Sequence, residues 1–474
     1  MAAAGASEQS LPTSLHPAAA ACRSTQWVVV RNARRSDDCG EVRVNEAETS
    51  SAIVCAECGA PGSEGQASCP RCGGLFEIRH RLPEIEPAAL RERFAERRTG
   101  RGPLATSGVW RYRELVAPAL PREAIVTQGE GNTFLYESEA LGRWAGLDGP
   151  VWLKHEGHNP TGSFKDRGMT VGVSRARELG AAAVACASTG NTSSSLASYA
   201  ARADMKALVF VPAGKVSAGK LAQTIALGAR VLEVEGSFDT AMRLVLAATE
   251  RLPIYLLNSV NPWRIEGQKT IVFELLEQLD WQPPDAIALP AGNLGNTSAF
   301  GKALDEAVRL GLIDRLPRLL PVQAAGAAPF HRLVASDAER LEPEPRPETV
   351  ATAIRIGEPR SWRKARRAVE RTAGRTTAVS DEQILEAKAA IDAAGIGCEP
   401  ASAASLAGVR ALVRSGELAP DARVVCVLTG HLLKDPDAIT RYHCGPEPGP
   451  HANPPVRLPA EPEAVAAWLA KELG

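Results

Sequence analysis

The chain has 474 residues, 45% of them hydrophobic, longer than a single core usually grows, so two or more packed units are predicted. Lys plus Arg (54) nearly balance Asp plus Glu (55), and a formal net charge of -1 excludes the broad basic footprint of a nucleic-acid binder. No apolar run reaches the roughly 18 residues of a membrane-spanning helix, and the Ala-, Ser- and Pro-rich start lacks the basic and apolar stretches of a secretory signal, so a cytoplasmic protein acting on a small molecule is expected.

Residues 1–50 read as a poorly ordered or accessory leader. At 51–80, CAECG (55–59) and CPRCG (69–73) form two CxxC knuckles. A thiolate pair on each tight turn, with glycine after its second cysteine, suits tetrahedral zinc held by Cys55, Cys58, Cys69 and Cys72. The gap between the knuckles is shorter than the commonest four-cysteine spacing, so metal-free thiols or a degenerate ribbon stay open as alternatives. Cys186, Cys398 and Cys426 lie in apolar or small-residue runs that read as core, a distribution that fits a reducing compartment better than a disulfide framework.

Residues 81–440 read as a catalytic region. From 151, short apolar runs alternate with helical-length segments: VWLKHE, then 164–180; AAVACAS, then 191–203; KALVFVP, then 217–228; ARVLEVE, then 237–251. IYLLNS, DAIALPA, RLLPVQA and finally RVVCVLTG continue the series. Alternation of this kind predicts an α/β fold with parallel strands covered by helices on both faces. LEPEPRPET (341–349) reads as a loop between the two halves of this region. Residues 441–474 read as a Pro-rich tail ending in one amphipathic helix, EAVAAWLAKEL.

Three strand-to-helix turns carry the candidate chemistry. NPTGSFKDRG (159–168) puts Lys165 in the first turn of a helix, with Ser163 as its expected N-cap; the helix's positive end disfavours an ammonium there, and an uncharged amine is what Schiff-base chemistry needs. STGNTSSS (188–195) offers backbone N–H groups and short hydroxyls suited to a carboxylate or phosphate, although simple capping is the readier account when it is taken alone. GNLGN (292–296) lets backbone approach a ligand at a helix N-terminus, where a phosphate is the natural occupant; no GK[ST] follows, so it is not a Walker loop. All three turns fall at the carboxyl ends of predicted strands, where open α/β sheets bind ligands.

From GEGNT (129–133) to LTGHLLKD (428–435) the chain resembles the threonine synthase family of fold type II pyridoxal-phosphate enzymes. The resemblance implies two open parallel-sheet subdomains with the cofactor in their cleft, and a homodimer. It implies Lys165 as the Schiff-base lysine and Asn191 as donor to the cofactor's 3-oxygen. Gly292, Asn293, Leu294, Gly295 and Asn296 would hold the cofactor phosphate. Thr429 would face the pyridine nitrogen, which a neutral hydroxyl leaves largely unprotonated. For the substrate, Ser188, Thr189 and Thr192 resemble the family's carboxylate and phosphate cradle. NSVNPWRIEGQKT (258–270) resembles its second phosphate-binding segment, with Asn258, Ser259 and above all Arg264, whose guanidinium matches a phosphate with two parallel hydrogen bonds. The activity implied is a β,γ-replacement that turns O-phospho-L-homoserine and water into L-threonine and phosphate, and zinc in the leader is compatible with it.

The chain departs from the commoner family pattern at GEGNTF, where proline usually precedes the next apolar residue, and at KHEGHNP, where His155 and His158 replace less polar neighbours. A solvated or core-satisfied histidine is the simpler account of both, with substrate tuning the lesser one. The nearest rivals are a related lyase of the same fold, such as a cysteate synthase or a serine/threonine dehydratase, and a catalytically silent relative that uses the ribbon as a protein-binding module. Retention of NSVNPWRIEGQKT argues for a phosphorylated substrate, and intact Lys165, Asn191 and Thr429 argue against silence.

Overall fold

The computed structural model describes residues 51–474 apart from 215–217, 237, 447, 450 and 474. The expectation of a disordered or accessory leader at 1–50 lies outside the described residues.

Two strands, β1 (Ser51–Cys55) and β2 (Phe76–His80), pair antiparallel and carry the cysteine knuckles. The knuckles repeat one geometry. Gly59 N–H bonds the carbonyl of Cys55 and Gly73 N–H that of Cys69, and both glycines take the left-handed conformation (φ 69° and 71°) that a residue with a Cβ adopts only under strain.

The remaining strands form two sheets. β3 (Leu135–Ser138) and β4 (Val151–His155) lead into one sheet, then β5 (Ala183–Ala187), β6 (Lys206–Pro212), β7 (Arg230–Val234) and β8 (Ile254–Leu256) form a second. The chain returns to the first sheet with β9 (Ala286–Pro290), β10 (Arg318–Ala324), β11 (Thr377–Val379) and β12 (Val424–Leu428). The first has the order β11-β10-β9-β12-β4-β3 and the second β7-β6-β5-β8. All neighbours run parallel except β3, which pairs antiparallel with β4 at an edge. β5, β9 and β12 are buried at every position, as a parallel strand covered by helices on both faces must be.

The α/β expectation holds, with two adjustments. A single run of alternating elements gives no sign of where the chain changes sheets, and it does so inside that run, after β4 and again after β8. The 341–349 segment does not separate two halves: it forms no helix or strand and lies between β10 and β11, neighbours in one sheet. Among the described residues no helix is long and apolar enough to cross a membrane.

Beneath the lysine turn lies a buried charge network. Glu274, on the helix Thr270–Gln278, accepts from Lys154 Nζ (2.6 Å), Arg167 Nη2 (2.8 Å) and the backbone N–H groups of Asn132 and Thr133. Arg167 also donates from Nε to Glu156 at 2.7 Å. Burial works against the ionised carboxylate, yet Arg167, Lys154 and Arg111 together hold Glu274 well below the ordinary range. Such a group stabilises the fold above its ordinary pKa, and the contribution disappears as pH falls through the depressed one. Glu274→Ala strands these cations in the interior and is expected to cost about 3–5 kcal/mol in denaturant unfolding; a loss under about 1 kcal/mol would contradict the network's role.

Candidate active site

The candidate residues follow the ends of five strands. The helix Lys165–Glu178 follows β4, Asn191–Arg202 follows β5, Pro262–Gln268 follows β8 and Gly295–Arg309 follows β9, while LTGH leaves β12. The lysine turn is pinned to the end of β12: Phe164 N–H bonds the Thr429 carbonyl at 3.0 Å, His431 N–H bonds that of Gly162 at 2.9 Å, and Ser163 pairs with Gly430. Asp166 closes the turn from the other side, accepting from Thr161 N–H (2.7 Å), Thr161 Oγ1 (2.6 Å) and Ser195 Oγ (2.6 Å), and so ties it to the helix after β5.

Lys165 occupies the first helical position, as expected. Its amine is pulled down to about 7, first by burial and then by the positive charge of Arg264, with Glu399 opposing. Burial is the leading cause, ahead of any charge in the site, and it favours the uncharged amine. The expected N-cap does not form: Phe164 holds that position, and Ser163 Oγ is buried without a partner among the described residues.

Glu399, which gave no sign in the sequence, joins two of the expected residues. Its carboxylate accepts from Asn191 Nδ2 at 3.0 Å and from Thr429 Oγ1 at 3.2 Å, and Thr429 also contacts Ser402 Oγ at 3.1 Å. Burial raises the Glu399 carboxyl, against the pull of Asn191 and Lys434. Asn191 and Thr429 are thus held to one carboxyl directly beside the lysine turn.

The GNLGN turn meets the NSVN segment where Asn293 Nδ2 donates to Ser259 Oγ at 2.7 Å. Asn293 Oδ1 accepts from Arg360 N–H at 2.6 Å, so its side chain braces the turn. The left-handed residue is Leu294 (φ 64°) and neither glycine. Gly292 is favoured for a different reason, because a Cβ there would crowd Ile354 Cα at 3.1 Å. Gly168, one turn beyond Lys165, and Gly295 both pack against the Gln268 side chain, at 3.1 and 3.4 Å from where their Cβ atoms would be. The lysine helix and the GNLGN helix therefore flank the same residue.

Asn258 bonds both backbone groups of Ala187 at 3.0 Å and extends the β5 ladder rather than presenting a free amide. Arg264 behaves differently. It is 1% exposed, Nη1 donates to the Leu257 carbonyl at 3.2 Å, and Nε and Nη2 have no partner among the described residues. Burial lowers its pKa to about 10. Ser188, Thr189, Asn191 and Thr192 are half-buried at the end of β5.

A family model described as pyridoxal-phosphate dependent enzyme matches residues 126–430. A threonine synthase of Methanocaldococcus jannaschii is 48% identical over 371 residues, covering 78% of this chain and 89% of that protein. The chain belongs to the threonine synthase family. A second member, from Methanosarcina acetivorans, is 46% identical over 82% of this chain and 93% of its own length. The threonine synthase structure from Escherichia coli shares the fold, with a TM-score of 0.63 over 89% of this chain and 99% of that one at 19% identity.

As a threonine synthase family member the chain is a pyridoxal-phosphate-dependent lyase, and its residues suit that cofactor. Around GNLGN, both side-chain atoms of Asn296 and the hydroxyls of Thr297 and Ser361 are buried without partners among the described residues. Buried polar atoms are normally bonded, so a turn with several unpaired groups at a helix N-terminus is shaped for an anion such as the cofactor phosphate.

Of the histidines that depart from the family pattern, His155 is buried in the fold and His158 is exposed. His155 bonds the Gly397 carbonyl at 2.7 Å, and the exposed His158 stacks on it at 4.0 Å between ring centroids.

The cysteine cluster also fits its expected ion. All four Sγ atoms lie within 4.8 Å of one another, with Cys55–Cys72 at 3.4 Å, Cys58–Cys69 at 3.7 Å and Cys58–Cys72 at 3.5 Å. A tetrahedron of sulfurs about 2.3 Å from zinc has edges of roughly 3.8 Å.

Proposed function

We propose that the chain converts O-phospho-L-homoserine and water into L-threonine and phosphate, acting as a homodimer. The observation that carries this reading is the buried guanidinium of Arg264, with two nitrogens unpaired among the described residues and its charge felt by the Lys165 amine, in a chain of this family. A cation held in the interior without a counter-ion among the described residues calls for an anion from the ligand, and a phosphorylated substrate supplies a second anionic group where a dehydratase's substrate has only its carboxylate.

Lys165 would hold the cofactor covalently and GNLGN its phosphate, with Asn191 at the ring oxygen and Thr429 at the ring nitrogen. Bound there, pyridoxal phosphate supplies an electron sink that labilises C–H bonds of the attached amino acid. Ser188, Thr189 and Thr192, at the N-terminus of the helix Asn191–Arg202, would bind the substrate carboxylate, and Arg264 with Ser259 its phosphate. Lys165 Nζ, with a pKa of about 7, passes readily between neutral and protonated states. It therefore suits taking a proton from the substrate's carbon and returning it. Glu399 would fix Asn191 and Thr429 relative to each other.

The decisive assay measures phosphate release from O-phospho-L-homoserine and identifies the amino-acid product. L-Threonine with stoichiometric phosphate is expected; release of a keto acid from serine or threonine instead would reject the reading in favour of the dehydratase.

The four amino-terminal cysteines would take up one structural zinc, held apart from the chemistry. Native mass spectrometry should find one zinc per chain, and Cys69→Ser should remove it; a metal-free native mass would end the zinc assignment.

A further inference from the structure

The ribbon reaches the phosphate-binding segment through one side chain. Glu64 lies midway along the loop between the two knuckles, 59–68. Its Oε1 accepts from Trp263 Nε1 at 2.9 Å and from Arg175 Nε at 2.8 Å, and its Oε2 accepts from the Tyr255 hydroxyl at 2.8 Å. Tyr255 belongs to β8 and Trp263 to the helix Pro262–Gln268, so one carboxylate fastens together the two ends of the loop that bears Asn258 and Ser259. Trp263 immediately precedes Arg264, and Arg175 covers the Trp263 ring at 5.1 Å.

β2 holds the same helix further along, where His80 Nε2 meets Glu266 Oε2 at 2.9 Å between fully buried side chains. Among the described residues the Arg264 side chain makes a single hydrogen bond, to the Leu257 carbonyl. Its guanidinium is therefore placed by the helix and loop that carry it, and these are held from outside by the ribbon.

We propose that Glu64 is a positioning residue for Arg264, and that metal at the four cysteines keeps Glu64 in place, so that the amino-terminal ribbon sets the phosphate affinity of the catalytic region. The proposal rests on the reading that Arg264 takes the substrate phosphate. Its metal half follows from chain geometry. The Glu64 loop leaves Cys58 and returns at Cys69, whose sulfurs are 3.7 Å apart, and an ion bridging them would hold the two ends of the loop together.

The test is calorimetric titration of inorganic phosphate into the full-length, pyridoxal-phosphate-loaded protein, whose cofactor site is already filled. Glu64→Ala is expected to raise the phosphate Kd about tenfold, the scale of a lost charge-assisted hydrogen bond, while the cofactor's affinity and visible absorbance stay unchanged. Glu64→Gln, which keeps an acceptor for Trp263, should restore most of the binding. Should Glu64→Ala not fold, Tyr255→Phe removes one of the three bonds and should raise the Kd by roughly threefold.

An unchanged phosphate Kd, or equal loosening of phosphate and cofactor, overturns the proposal, the second because it marks Glu64 as a general anchor. Stripping the metal with a chelator should weaken phosphate binding in the same direction, and no effect would overturn the metal half. Arg264→Ala serves as the control: if it leaves phosphate binding intact, the assignment of Arg264 itself falls, a failure distinct from that of Glu64.

Discussion

Lys165→Ala is expected to abolish turnover, lowering kcat by about four orders of magnitude or more, because a single amine both anchors the cofactor and moves protons. The pH dependence of the wild-type group provides the more discriminating measurement. Burial and the neighbouring Arg264 charge bring the amine to about 7, against roughly 10.4 for an ordinary lysine. The neutral amine is the nucleophile, so covalent capture of pyridoxal phosphate by the apoprotein should accelerate as pH rises through about 7 and level off above it. A rate still climbing between pH 9 and 10 would show an unperturbed lysine and defeat the argument. Lys165→Arg is expected to be as inactive as the alanine variant, because a guanidinium stays protonated throughout this range.

Features that repeat or cluster along the chain were legible without a structure. The strand-helix alternation announced the α/β fold, and the turns after β4, β5 and β9 stood out because each pairs glycine or small polar residues with a preceding apolar run. Lys165 sits in the first helical turn, as this pattern predicts. The paired cysteines were legible because their spacing is local. Features that depend on distant contacts were hidden. Glu399 lies in GCEPASAAS, whose composition reads as an ordinary helix start; its role comes from Asn191, 208 residues away, and Thr429, 30 residues away.

Ser163 looked like an N-cap by residue type, but its backbone pairs with Gly430 and draws the helix start one residue further on. Asn258 carried the right side chain for ligand binding, yet it is engaged by the Ala187 backbone. Glu64, in a loop read only as the spacer between knuckles, proved to contact three catalytic-region side chains. In each case the deciding partner is remote in sequence, which residue type and spacing do not encode.

Arg264→Met should separate stability from function in opposite directions. In the ligand-free protein the guanidinium is buried with two nitrogens unpaired, and burial lowers its pKa to about 10, so its charge opposes folding. Methionine fills much of the same volume without that charge, and the melting temperature should rise, by about 1 °C if roughly 1 kcal/mol is recovered. The substrate phosphate, however, loses its partner. Removing one member of a buried hydrogen-bonded charge pair costs about 2–5 kcal/mol, which converts to a fall in kcat/KM of roughly 30- to 5,000-fold. Calorimetry and steady-state kinetics with O-phospho-L-homoserine on the same preparation give both signs. A variant that is less stable and fully active would mean that Arg264 is a structural cation whose partner lies within the protein. A more stable variant with lost kcat/KM identifies a residue kept, at a standing cost to the fold, for the anion it binds.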